Sequence, residues 1–102
     1  PTSGGQEDLV SMAPWAGYKL INIQKNLSVI LAIELLVASA VNSLGFSKVK
    51  SARATGTILS LIGKICDFSV GDRVLKTEID LITDKIIKKE ILSKMQKILR
   101  LE

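Results

Sequence analysis

The strongest constraint on the fold is a long stretch, residues 12–44, that lacks a strong helix breaker. Its only glycine is Gly17, and its only proline, Pro14, falls where the first turn of a helix tolerates proline. Ser11 is a candidate N-cap residue, and Gly45 is a candidate stop signal. We therefore expect one helix over residues 12–44, about 50 Å long, which exceeds the diameter of a small domain.

The second half of this predicted helix is apolar on nearly every side. Its aliphatic residues are Val29, Ile30, Leu31, Ile33, Leu35, Leu36 and Val37. A helix that is apolar all round is usually buried all round. Only roughly sixty residues follow it, so we expect another chain, or further parts of the same polypeptide, to cover it.

Glu34 interrupts this apolar half. An unpaired carboxylate would be costly to bury there, so Glu34 needs a cationic or hydrogen-bonding partner. Two interpretations stay open: a paired charge at a helix–helix interface, and a functional carboxylate.

Weaker helical patterns follow Gly45. Residues 55–67 carry isoleucine and leucine at helical intervals, although Gly56 and Gly63 weaken the pattern. We expect a helix there, and a connecting loop over residues 68–73.

The last part of the chain predicts a further helix. Thr77 is a candidate N-cap, and Asp80 places negative charge at the positive end of the helix that follows. The apolar pattern extends over residues 77–100, as one helix or as two that abut near Lys88. The expected fold class is all-α, with a long central helix packed against two or three shorter helices. We expect residues 1–102 to form one segment of a helical bundle. Residues 1–11 are expected to form a loop.

Composition excludes several kinds of site. The chain has no histidine and Cys66 is its only cysteine, so it offers neither an imidazole base nor a plausible zinc site, and we expect no metal. A single cysteine also excludes an internal disulfide and fits a reducing compartment, so we expect the cytoplasm. No secretory-signal pattern opens the chain, and the longest apolar run, residues 29–41, is too short to span a bilayer. Because Pro1 takes the place of an initiator methionine, we expect a segment of a larger polypeptide.

The C-terminal part is basic and amphipathic. Its cations are Lys85, Lys88, Lys89, Lys94, Lys97 and Arg100. Such a helix can lie on an anionic membrane or bind nucleic acid, but lysine is also a good helix former on ordinary surfaces. Aromatic residues, which stack on bases, are missing between these cations. We therefore expect neither a membrane nor a nucleic acid as partner.

The beginning of the chain carries the residues most informative about function. Gln6-Glu7-Asp8 is followed by Val10-Ser11-Met12, and a Leu-Ala-Ile-Glu-Leu-Leu sequence comes later, at residues 31–36. Together these stretches resemble the C-terminal part of the aromatic amino-acid lyase family, and in particular its histidine-acting members.

The resemblance implies a chemistry that this chain does not complete. Members of the family use a methylidene-imidazolone electrophile formed from an Ala-Ser-Gly triplet, and a tyrosine base from an earlier region. No such triplet occurs here, and the family segment that matches Thr2-Ser3-Gly4 only precedes the Gln-Glu-Asp motif. We therefore expect no cofactor in this chain and a methylidene-imidazolone group in the full-length enzyme.

The resemblance assigns roles to two residues. Glu7 is the candidate catalytic carboxylate, because the matching glutamate lies beside the substrate and the electrophile, where it can accept a hydrogen bond and exchange a proton. Gln6 is the candidate substrate-binding residue. Asp8 is expected to be structural. The alternative is that Glu7 and Asp8 only favour the positive end of the next helix.

Two departures bear on the substrate. Histidine-acting members usually have histidine after Gln-Glu-Asp and glycine after Ser-Met, whereas this chain has Leu9 and Ala13. Members that act on phenylalanine or tyrosine more often carry Asn-Gln in place of the Gln-Glu pair, so Glu7 still favours histidine.

Two hypotheses follow. The first is a C-terminal part of such a lyase, which is inactive alone and whose partners are the remainder of the chain, identical subunits in a tetramer and an amino-acid substrate. The second is a non-enzymatic helical module that oligomerises through residues 27–41.

Overall fold

A computed structural model describes residues 3–5, 11–45 and 48–100 of the chain. Within these ranges the structure contains four α-helices and no strand, so the all-α prediction is confirmed. The helices are α1 (Ala13–Ser43), α2 (Arg53–Gly63), α3 (Lys76–Ile87) and α4 (Glu90–Leu99), and one 3-10 turn (Ser3–Gly5) precedes them.

Helix α1 begins one residue later than predicted. Met12 is its N-cap residue, and Ser11, the predicted cap, lies one position further out. The Ser11 hydroxyl oxygen accepts a long hydrogen bond of 3.4 Å from the backbone N–H of Ala13, so Ser11 still satisfies one of the free donors at the helix start. At the other end Gly45 follows the cap residue with φ of 77°, a conformation that glycine adopts without strain.

Helix α2 is shifted toward the N-terminus relative to the prediction of residues 55–67. It ends at Gly63, after which the backbone N–H groups of Ile65 and Cys66 both donate to the carbonyl oxygen of Ile62, at 2.9 and 3.0 Å. Glycine is a poor helix former, which lowers the cost of ending the helix there. The resulting turn brings Cys66 into the core, where its side chain is 2% exposed.

The last predicted helix is two helices. Thr77 is not the N-cap, because α3 begins at Lys76 with Leu75 as its cap residue. The break between α3 and α4 falls at Lys88 and Lys89, and Lys89 adopts a left-handed conformation with φ of 58°. Of the two predicted alternatives, the structure therefore has the abutting pair.

The core lies where the second half of α1 packs against α2 and α3, and α4 packs against these two shorter helices. Its buried hydrophobic residues are Ala32, Leu36, Ile58, Ile62, Cys66, Ile82 and Ile91. Ser39 is buried among them, and its hydroxyl donates to the carbonyl oxygen of Leu59 at 3.1 Å, which joins α1 to α2.

The first half of α1 projects beyond this core. Every residue from 11 to 27 is exposed, and the molecule measures 67 × 38 × 20 Å. By length and composition α1 could cross a membrane, although the sequence pattern of residues 29–41 alone had excluded a span. Core helices of water-soluble proteins pass the same test, so the finding is weak evidence for a span.

Candidate functional site

The candidate site residues Gln6 and Glu7 lie outside the described residues, so their roles stay predictions. The structure describes the chain on both sides of them. Gly4 and Gly5 directly precede Gln6 and have φ of 66° and 83°. Two successive residues in this region form a sharp turn that glycine alone adopts at little cost, so the chain turns immediately before the Gln-Glu-Asp motif.

The N-terminus of α1 follows the motif after four intervening residues, 9–12. Pro14 occupies its first turn, which contains no acidic residue, and Met12 provides no side-chain hydrogen bond to the cap. The partial positive charge at this end of a long helix is therefore not compensated by its own first turn. A carboxylate in the preceding segment would be favoured there, and this applies to a structural Asp8 as well as to a functional Glu7.

Two aromatic side chains lie on the first two turns of α1. Trp15 is 66% exposed and Tyr18 is 68% exposed. Tyr18 carries a phenol hydroxyl that can donate or accept a hydrogen bond. Trp15 had not been singled out, although the scarcity of aromatic residues in this chain was a signal. Their exposure leaves both free to contact a covering chain or a ligand close to the motif.

An ion pair between Arg73 and Glu78 lies near the C-terminal end of α1. Arg73 donates to one carboxylate oxygen of Glu78 from Nε at 3.1 Å and from Nη2 at 2.9 Å. A backbone hydrogen bond within Glu78 itself and the bond from Arg73 lower the pKa of this carboxyl. The pKa of the nearby Cys66 thiol is raised, first by burial and then by the charge of Glu78.

The ion pair between Arg73 and Glu78 is structural. Arg73 lies beside Leu36 of α1, with Ala40 and Leu44 in the same cleft. Leu36 is 24 residues from Met12, which corresponds to about 36 Å along the helix. The pair therefore fastens the loop before α3 and is remote from the N-terminal end of α1. The described residues also hold no cluster of three or more acidic or cysteine side chains that could bind a metal.

Comparisons with known proteins agree with the motif. The family model of aromatic amino acid lyases matches residues 1–64, which include Gln6, Glu7 and all of α1. Histidine ammonia-lyase of Chloroflexus aurantiacus is 36% identical over 96 residues and covers 89% of this chain. The enzyme of the same name from Idiomarina loihiensis is 38% identical over 87 residues, 84% of this chain.

A shorter match has a higher identity. Histidine ammonia-lyase of Burkholderia mallei is 59% identical over 39 residues, which cover 38% of this chain and 8% of that protein. The chain spans 18% of the Chloroflexus protein and 17% of the Idiomarina protein. No solved structure matches the chain. Because the family model covers more than half of the sequence and includes the Gln-Glu-Asp motif, this chain belongs to the aromatic amino acid lyase family.

Proposed function

We propose that the chain is a C-terminal part of a histidine ammonia-lyase, whose full-length polypeptide converts L-histidine to urocanate and ammonia. The observation that carries this proposal is the family match over residues 1–64, together with relatives that all bear this enzyme's name. The cytoplasm is the proposed location, as expected for a chain with one cysteine.

Glu7 is the proposed catalytic carboxylate. Elimination of ammonia from an amino acid requires the amino group to leave and a weakly acidic β-proton to be removed. A carboxylate beside the substrate accepts hydrogen bonds from an ammonium or imidazole group and can exchange a proton with it. Gln6, the adjacent residue, can donate and accept hydrogen bonds through its amide and is proposed to orient the substrate.

The electrophile that the family uses must come from a part of the enzyme outside residues 1–102. The chain contains no Ala-Ser-Gly triplet from which a methylidene-imidazolone group could form. The chemistry that this group supplies in the family is activation of the substrate's amino group for departure. The part proposed for this chain is limited to holding the substrate and moving a proton through residues 6 and 7.

Glu7→Gln in the full-length enzyme tests the proposed role. Replacing a general acid–base residue with its amide should lower kcat by about 10²- to 10⁴-fold, because the amide keeps the shape but cannot exchange the proton. Urocanate formation and ammonia release from L-histidine are the measurements. Asp8→Asn is the matched control, since it removes the neighbouring charge from a residue proposed to be structural, and it should retain most of the activity.

Two results would contradict the proposal. Normal turnover in the Glu7→Gln enzyme would remove Glu7 from the catalytic residues. A full-length enzyme that prefers phenylalanine or tyrosine over histidine would refute the proposed substrate, for which Leu9 is the notable departure.

The purified 102-residue chain should not release ammonia from L-histidine, because it lacks the source of the electrophile. Ammonia release at an enzymatic rate by the purified chain would overturn this account.

A second candidate function is a helical oligomerisation module without catalysis. The exposed apolar surface of α1, which includes Leu27 at 51% and Ile30 at 54% exposure, favours it. Both candidates predict contact with further subunits, and a tetramer is the proposed assembly for the lyase. The coding sequence upstream separates them, because an in-frame Ala-Ser-Gly triplet is required by the lyase and not by the module.

A further inference from the structure

A groove of about 390 Å³ separates α1 from α4. Leu31, Leu35 and Ala38 line it on the α1 side, and Leu92 and Met95 line it on the α4 side. Leu92 is 50% exposed and Leu31 is 39% exposed. A helix placed in this open groove would remove the remaining exposed apolar surface of these side chains from water, which favours binding.

One carboxylate lies on the wall of this apolar groove. Glu34 of α1 is exposed and has no hydrogen-bond or ion-pair partner among the described residues. The four ion pairs that the structure describes use other acids, namely Glu78, Asp80, Asp84 and Glu90. None of the groove-lining residues is a cation.

The charge of Glu34 restricts what can cover the groove. A purely apolar helix placed there would strip water from the carboxylate without replacing its hydrogen bonds, which is unfavourable. An occupant that carries one lysine or arginine within its apolar face would bury the groove and also pair the charge. Charge complementarity therefore selects a cation-bearing helix over an uncharged or acidic one.

The relatives indicate where such a helix would come from. The chain spans 18% of the Chloroflexus enzyme. A full-length lyase therefore contains several times more polypeptide than this chain, and that polypeptide is available to cover the groove. The lysines of this chain's own α1, Lys19 and Lys25, are too far from Glu34 along the helix axis to pair with it. They lie fifteen and nine residues before it.

We propose that the groove between α1 and α4 receives a helix from the remainder of the lyase polypeptide, and that this helix places one lysine or arginine against Glu34 and thereby sets its register. This inference rests on the proposed function, since it takes the occupant from the rest of that enzyme. Glu34 is a positioning residue for assembly and does not touch the substrate.

Synthetic helices provide the test on the 102-residue chain itself. The probes are amphipathic peptides about 18 residues long, above the length below which isolated helices are marginal in water. One face carries leucine, the other carries alanine and glutamine, and the centre of the leucine face carries arginine, glutamine or glutamate. Fluorescence anisotropy of the labelled peptides gives their affinities. The arginine peptide should bind the wild-type chain roughly tenfold or more tightly than the glutamate peptide, since a charge-assisted hydrogen bond is worth about 1.5–3 kcal/mol.

Charge reversal assigns the preference to Glu34. In the Glu34→Arg chain the glutamate peptide should become the tighter ligand. Asp80→Arg is the matched control, because Asp80 is an exposed carboxylate on α3 outside the groove, and it should leave the preference for arginine unchanged. Ala38→Trp, which fills the groove, should weaken all three peptides. Positions 34, 38 and 80 are all exposed. Helix content by circular dichroism checks that each variant is folded.

Several outcomes would overturn the inference. A preference that survives Glu34→Arg would show that Glu34 does not select the occupant, and absence of binding by every peptide would show that the groove is not a helix site. If Glu34→Arg instead weakens self-association of the chain, the occupant is a second copy of these residues. The lyase assignment is unaffected by each of these results, because it is tested by turnover in the full-length enzyme.

Discussion

Arg73 and Glu78 form the most protected ion pair of the structure described here. The side chains are 25% and 16% exposed, and the Arg73 guanidinium also donates to the carbonyl oxygen of Val70 at 3.3 Å. One arginine therefore holds both a loop carbonyl and the first turn of α3. An arginine fork suits this task because its donors are fixed in one plane.

The pair predicts how stability depends on pH. The pKa of Glu78 is lowered in the folded chain, so on acidification the unfolded chain takes up this proton first, and the stabilisation is lost as pH falls from about 4.5 through the folded pKa. The difference in the free energy of unfolding between wild type and Glu78→Gln should have its largest value above about pH 5. It should decrease as the pH falls below that value. Urea unfolding at a series of pH values measures it.

Other carboxyls require a control, because the pKa values of Asp67 and Glu90 are also lowered. Taking the difference between variant and wild type cancels their contributions. Asp72→Asn removes a charge from the same loop without removing the ion pair, and Arg73→Gln removes the partner. A pH-independent difference for Glu78→Gln would show that the pKa of Glu78 is not lowered in the folded chain.

Ser39 and Glu34 show that the burial of a single polar residue cannot be predicted from the sequence pattern around it. Both are polar residues within the apolar run 29–41, and the pattern predicted burial for the whole stretch. The structure buries Ser39, at 1% exposure, and leaves Glu34 exposed in an open groove. Five residues separate the two on a helix, so they point in different directions, and only the path of the neighbouring helices decides which of them is covered.

The junction between α3 and α4 depends on one strained residue. Lys89 is the N-cap of α4 and has φ of 58° and ψ of 19°, the left-handed region that a side chain disfavours. Glu90 in the first turn of α4 pairs with Lys85 of α3 at 2.8 Å. The sequence predicted an extended helical region and left the break open, because no glycine or proline marks it. Packing of Ile82 and Ile91 into one core requires the chain to turn.

Substitutions at Lys89 test this strain. Glycine adopts the left-handed conformation at little cost, whereas a β-branched residue does not, so Lys89→Gly should be more stable than Lys89→Val by about 1–2 kcal/mol. Urea unfolding of the two variants gives the difference.

Lys94 provides the matched control. It lies inside α4 on the exposed surface, where helix propensity makes glycine the less stable replacement by a few tenths of a kcal/mol. The order of glycine and valine should therefore reverse between positions 89 and 94. The same order at both positions would show that Lys89 is not held in the left-handed conformation.

The described part of the chain is elongated, and α1 is largely uncovered. The buried residues of α1 are Ala32, Leu36 and Ser39, all in its second half. Its first half exposes Leu20 at 55% and Ile23 at 60%. Exposed contiguous apolar surface of this extent marks an interaction site, which agrees with the expectation that further polypeptide covers the helix.

Self-association follows from this exposure. The chain should elute in sizing experiments at a mass above its 11.1 kDa, and increasingly so at higher concentration, because association buries the apolar surface of α1. The double variant Ile23→Glu and Ile30→Glu places two charges on one face, seven residues apart, and should shift the chain toward the monomer.

Lys25→Glu is the control for the change of charge on the same helix, and it should leave the elution unchanged. A wild-type chain that stays a compact monomer at every concentration would contradict the expected interface.

The amino-acid sequence by itself determined the family, the helical class and the long helix that stops at Gly45. Each of these depends on local features: a short motif, helical spacing of aliphatic residues, and a glycine that tolerates positive φ. Tertiary packing decided where α2 ends, that residues 77–100 divide at Lys89, and that Glu34 faces an open groove instead of the core. Those outcomes depend on how the helices cross one another, and burial across a crossing is a property of several segments together that no single segment encodes.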